Sequence, residues 1–86
     1  MANAAETIKH VSLELGGKAP AVVFDSADLD KAVAEITRGA LALNGQMCTC
    51  VSRILVQDSV YDEVKARMRA RFEATKTGDA RAPGTE

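Results

Sequence analysis

Tryptophan is absent from this 86-residue sequence, and its aromatics amount to one tyrosine and two phenylalanines. Any core must therefore come from Ala, Val, Leu and Ile. At this length one core buries little more apolar surface than offsets the entropy of the chain, so one domain at most is expected. An excess of charge of either sign is missing as well: 11 basic residues face 12 acidic ones, for a formal net charge of -1. Such a balance sets up no field that would recruit nucleic acid or an acidic membrane. No run approaches the roughly 18 apolar residues of a membrane span, and the N-terminus has no basic stretch leading into an apolar one. Cysteine is scarce too. Cys48 and Cys50 are separated by a single residue, a spacing ill suited to an unstrained disulfide, and a reducing, cytoplasmic setting fits it better.

What is present divides into short periodic segments. Between His10 and Phe24 two apolar runs, His-Val-Ser-Leu-Glu-Leu and Ala-Val-Val-Phe, flank Gly16-Gly17-Lys18-Ala19-Pro20, which reads as two strands joined by a glycine turn. Leu29, Val33, Ile36, Ala40 and Leu43 then recur at the spacing of a helix face. They predict a helix over roughly 27–43, with Asp25 or Ser26 as N-cap and Asp28 near its positive end. Asn44-Gly45 tolerates left-handed backbone and ends that helix, and residues 46–52 are too polar and short for another element, which leaves a loop able to present side chains. Residues 53–57 form a third expected strand. Ser59 with Asp62 resembles a capping box for a second helix, whose inner face would carry Val60, Val64, Met68 and Phe72. From residue 77 to 86 periodicity is lost and an irregular tail is expected. Strand, strand, helix, strand, helix in this order predicts an α/β layer with a parallel crossover.

Two residues stand out chemically. Glu14 lies between Leu13 and Leu15, directly before two glycines. Strand ends above loops are where α/β folds place sites, and a partly desolvated carboxylate there makes a better general base near neutral pH. Strand alternation could equally turn it toward water. Cys48 follows Gly45-Gln46-Met47 after a helix, in a setting that lifts a thiol into a loop with polar neighbours, as reactive cysteines require. A packed structural thiol is the plain alternative. Cys48, Cys50 and His10 lack the fourth ligand and the spacing of a zinc site, so no metal is expected. His10 as the base of a Cys-His hydrolase has no identifiable orienting group. Gly16-Gly17-Lys18 falls short of a phosphate loop, which needs a longer glycine stretch and a hydroxyl residue after the lysine.

Taken together, Leu13-Glu14-Leu15-Gly16-Gly17-Lys18-Ala19-Pro20, Asp28-Leu29-Asp30, Asn44-Gly45-Gln46-Met47-Cys48-Thr49 and Ser52-Arg53 strongly resemble the aldehyde dehydrogenase superfamily. That family pairs a Leu-Glu-Leu-Gly-Gly-Lys signature with a Gly-Gln-x-Cys signature about as far apart as Glu14 and Cys48 are here. The resemblance runs from about Ala5 to Gly78-Asp79. It implies that residues 1–86 are part of the parallel-sheet catalytic domain of an NAD(P)-dependent enzyme that oxidises an aldehyde to a carboxylic acid. Cys48 would be the nucleophile, passing through a thiohemiacetal and a thioester, and Glu14 the general base. Backbone around Leu15 and Gly16 would border the nicotinamide of NAD or NADP, whose main binding domain is missing here together with the oxyanion asparagine of relatives. Cys50 stands where relatives often carry a small residue, and could tune the pocket or offer a second thiol for oxidation. The parent enzyme would be a homo-oligomer, and the 86 residues alone would be inactive. The alternative is a stand-alone, non-catalytic interaction protein that pairs with a full-length relative through open strand edges.

Overall fold

The computed structural model describes residues 2–85. A single helical turn, α1 (Ala2–Ala5), precedes β1 (Ala19–Val23), α2 (Leu29–Leu41), β2 (Val51–Val56) and α3 (Tyr61–Ala74). β1 and β2 pair in parallel, so α2 is the crossover of a β-α-β unit and the fold is α/β. The expected first strand is corrected: residues 9–18 hold no helix or strand. Alternation makes His10–Leu15 competent for a strand, but a strand exists only with a ladder partner, and among the described residues the sheet has two strands. Leu13 and Leu15 accordingly stand in solvent, 58% and 69% exposed.

α2 is shorter than its apolar spacing suggested. Its N-cap is Asp28, whose Oδ1 accepts the Lys31 N–H at 3.1 Å, in place of Asp25 or Ser26. Leu43 has left the helix altogether. The capping box ahead of α3 does not form either: Asp58–Val60 make a 3₁₀ turn before α3 begins at Tyr61, and the Ser59 hydroxyl donates to Asp25 Oδ2 at 3.4 Å. That contact belongs to a clasp across the C-terminal ends of the two strands. Asp25 N–H donates to Gln57 Oε1 at 3.2 Å, and Gln57 Nε2 donates back to Asp25 Oδ2 at 2.9 Å.

Both helices cover one face of the sheet. Val23 from β1, Val33 and Ile36 from α2, and Val64 and Met68 from α3 form the buried core, with Ala21, Ile54 and Val56 packed against it. Phe72, expected inside, is partly exposed. The buried Thr37 hydroxyl is satisfied by the Val33 carbonyl at 2.8 Å. Arg67 joins the helices by ion pairs to Asp30 of α2 and Glu63 of α3. On the opposite face Val22, Phe24 and Leu55 are exposed. The result is a plate 55 × 37 × 15 Å, one sheet and one helix layer thick, with a radius of gyration of 18.0 Å, against about 12 Å for a compact domain of this length.

The register carries one irregularity. Ala19 pairs with Val51, but Pro20 pairs with Arg53, so Ser52 is an extra residue on β2. Pro20 has no N–H to give the ladder, and a bulge is where a strand tolerates that. Ser52 and Arg53 therefore both lie exposed in succession, before alternation resumes with Ile54 half-buried and Leu55 exposed.

Candidate active site

Two segments remote in sequence meet where the strands begin. One leads through Gly17 and Lys18 into β1, the other through Cys48 and Cys50 into β2. Between them lies an open cleft of about 390 Å³ lined by residues 14–17 and 45–48. Glu14, Leu15, Gly16 and Cys48 are all on its walls. The cleft sits at the N-terminal ends of β1 and β2, whereas ligands of open α/β sheets usually sit at the carboxyl ends. That general rule does not place it.

The cysteine wall is built by an unusual reversal after α2. Ala42 departs from helical geometry (φ -51°, ψ 127°), and Leu43, Asn44 and Gly45 follow with φ of 49°, 59° and 72°. Gly, and to a lesser degree Asn, tolerate this region, but for other residues it costs roughly 1–2 kcal/mol, and Leu43 bears that cost while 73% exposed. The turn throws Gln46–Cys48 outward and then returns the chain to the sheet. Cys48 ends as an exposed free thiol and Cys50 as a buried one. Cys50 donates its thiol to the Ala42 carbonyl at 3.3 Å and its N–H to the Met47 carbonyl at 3.1 Å. Cys50 is absent from the cleft lining, so this placement does not present it to the cleft as a second thiol. It faces inward and fastens the loop to the end of α2.

The glutamate wall touches the cysteine wall directly. A Cβ on Gly17 would lie 2.4 Å from the Cys48 carbonyl oxygen, closer than any side chain allows, so the approach of the two backbones requires glycine there. Gly16 is different: no atom lies within 4 Å of the place a Cβ would take. Space beside Gly16 is therefore open on the cleft side that Leu15 also lines. One residue further, the Lys18 carbonyl accepts two hydrogen bonds from Arg53, from Nε at 3.2 Å and from Nη2 at 2.9 Å. Glu14 itself is exposed, so the desolvation expected of it is not supplied by these residues. His10 is also exposed and lies outside the cleft lining.

A larger hollow of about 600 Å³ lies elsewhere, between the C-terminal half of α2, Arg71 of α3 and residues Ala80 and Thr85. It holds neither Glu14 nor Cys48. On its wall the Arg38 guanidinium, hydrogen-bonded to Glu35, holds that carboxyl below its ordinary range. Among the described residues no group of three His, Cys, Asp or Glu is placed to hold a metal ion, and no helix is long and apolar enough to cross a membrane.

The sequence signals identified both walls of the cleft but not what joins them. Gly17 was legible as a turn residue and Arg53 as part of a motif; neither pattern revealed a backbone contact with Cys48 or a clasp on Lys18.

The model of the family described as "Aldehyde dehydrogenase family" matches residues 1–86. The mitochondrial succinate-semialdehyde dehydrogenase of Arabidopsis thaliana is 46% identical over 85 residues, which cover 99% of this chain and 16% of that protein. The glutarate-semialdehyde dehydrogenase of Pseudomonas putida is 48% identical over 85 residues, covering 99% of this chain and 18% of its own length. Among solved structures, an aldehyde dehydrogenase from Brucella melitensis biovar abortus superposes with a TM-score of 0.92 at 45% identity, over 98% of this chain and 17% of that one. A betaine aldehyde dehydrogenase from Staphylococcus aureus in complex with NAD+ gives a TM-score of 0.89 at 39% identity, over 99% and 17%. The chain thus spans less than a fifth of the length of the relatives it matches.

Proposed function

The chain belongs to the aldehyde dehydrogenase family, and on that footing we propose that its cleft brings together the nucleophile and the general base of aldehyde oxidation. The observation that carries the reading is the shared cleft, with Glu14 on one wall and Cys48 on the other and Gly17 seated on the Cys48 carbonyl.

The Cys48 thiolate attacks the aldehyde carbon, and the carbonyl oxygen takes up the negative charge of a thiohemiacetal. The open space beside Leu15 and Gly16 is where the nicotinamide ring of NAD or NADP would lie. When bound, that cofactor supplies the acceptor for the hydride whose loss leaves a thioester on Cys48. Glu14 then takes a proton from a water molecule, whose oxygen attacks the thioester carbon; the acid is released and the Cys48 sulfur leaves as thiolate. These 86 residues supply the chemical groups and one cofactor edge. Exposure of both Glu14 and Cys48 supports a chain that is inactive in aldehyde oxidation by itself, because a wet cleft weakens every electrostatic contribution to the reaction.

Acyl transfer needs no cofactor and tests the assignment on the chain alone. With p-nitrophenyl acetate, Cys48 should acquire an acetyl group as nitrophenolate leaves, and Cys48→Ser should abolish this. General bases are typically worth about 10²–10⁴-fold, so Glu14→Gln should leave acetylation intact and slow release of acetate by about tenfold or more. Acetylation elsewhere, or release unaffected by Glu14→Gln in intact-mass time courses, would remove the basis of the reading. The exposed apolar face and open strand edges favour a second reading, a non-catalytic partner that pairs with a full-length relative. On that reading the chain co-purifies with the longer enzyme and Cys48 is not acylated.

A further inference from the structure

We infer that Arg53 is a positioning residue for the cleft, the side chain that sets the spacing between the glutamate segment and the Cys48 loop. This deepens, and rests on, the reading of Glu14 and Cys48 as base and nucleophile.

Glu14 is carried by a segment with no regular structure. Backbone contact at Gly17 limits how close that segment can come to Cys48, because the Cys48 carbonyl already meets it, but a steric stop does not pull. Arg53 provides the pull. Both of its hydrogen bonds end on the Lys18 carbonyl, the residue next to Gly17, and both come from a charged donor, the stronger kind.

The bulge explains why Arg53 can do this. In a regular ladder the residue opposite Pro20 would be Ser52, whose side chain is too short to reach back over the strand start. Pro20 withholds its N–H, the register slips by one, and Arg53 takes the place opposite Pro20. Re-aiming a side chain beside a site is a recurrent use of bulges. Arg53 also lies on β2, whose Ile54 and Val56 pack on the core. A planar guanidinium on a rigid strand therefore holds the irregular wall in place, a task for which a flexible ammonium with a point charge is less suited.

The sheet contains its own control. Gln57 and Asp25 clasp the same two strands at the opposite end, far along the ladder from the cleft. Glu14→Cys places a thiol on the glutamate wall, and the rate at which a short bifunctional thiol reagent bridges it to Cys48, mapped by peptide mass spectrometry, reports the gap with no chemistry asked of Glu14. In that background Arg53→Ala should slow bridging by about tenfold or more, because the effective concentration of one thiol at the other falls steeply once the two walls are no longer held together. Arg53→Lys should recover part of the loss, and Gln57→Ala should leave the rate close to that of the parent. Folding of each variant is checked by the dispersion of its amide NMR spectrum. Should Arg53→Ala unfold the chain, Arg53→Lys against Gln57→Ala remains as the deciding pair. Equal rates for the Arg53 variants and the parent, or an equal loss in Gln57→Ala, would overturn the assignment. If bridging behaves as expected while Glu14→Gln has no effect on acetate release, the positioning role stands and the catalytic reading falls.

Discussion

The two walls of the cleft are made in opposite ways. Cys48 projects from a loop whose ends are fixed by this chain's own packing: α2 and β2 both feed the core, and the buried Cys50 thiol bonds back to Ala42. Glu14 projects from a strap whose apolar side chains at Val11, Leu13 and Leu15 face solvent, and which meets the body through Gly17 and Lys18. The position of Cys48 is thus determined by burial, whereas that of Glu14 follows from the steric contact at Gly17 and the Arg53 clasp on Lys18. Damage to the core should take both walls with it, and damage to the junction should take only one.

The largest effect is expected in the core. Met68 is buried against Val64 and contacts the Thr37 hydroxyl through its sulfur; Met68→Ala should cost about 2–5 kcal/mol by leaving a cavity, read as a lower urea midpoint with loss of Cys48 acetylation and of bridging together. Gly17→Ala should separate the two walls. Its Cβ cannot coexist with the Cys48 carbonyl, so acetate release should fall by about tenfold or more while the urea midpoint stays near that of the parent, because Gly17 lies outside the core. A large loss of stability in this variant would mean that the strap is part of the folding unit. Smallest is Leu13→Ser, at a side chain more than half exposed: a change within about 0.5 kcal/mol is expected, and a larger one would show that the strap packs on something in solution.

How much of this was legible in the sequence follows the same division. Leu29, Val33 and Ile36 at helical spacing, and Val64 and Met68 four apart, marked the buried faces of α2 and α3, because a helix's inward stripe is a local pattern. Alternation at residues 10–15 was equally visible but describes only half of a strand; the other half is a partner, which no local pattern supplies. Glu14 and Cys48, which line one cleft, were both legible as parts of linked motifs. What joins them was not, because the Gly17 approach and the Arg53 clasp arise from pairing between segments more than thirty residues apart, and the slip that aims Arg53 depends on which residue Pro20 happens to face. The N-cap at Asp28, close to the expected Asp25 or Ser26, differed for a smaller reason: several oxygen-bearing side chains compete at the entrance of α2, and local backbone geometry chooses among them.

The uncovered side of the sheet has a consequence for how the molecule behaves in bulk. Parallel strands are ordinarily sandwiched between layers, and here Val22, Phe24 and Leu55 form a greasy surface flanked, among the described residues, by the outer edges of a two-stranded sheet. A plate wetted on one side and oily on the other is expected to act like a surfactant, gathering at air–water boundaries and stacking as concentration or sulfate rises.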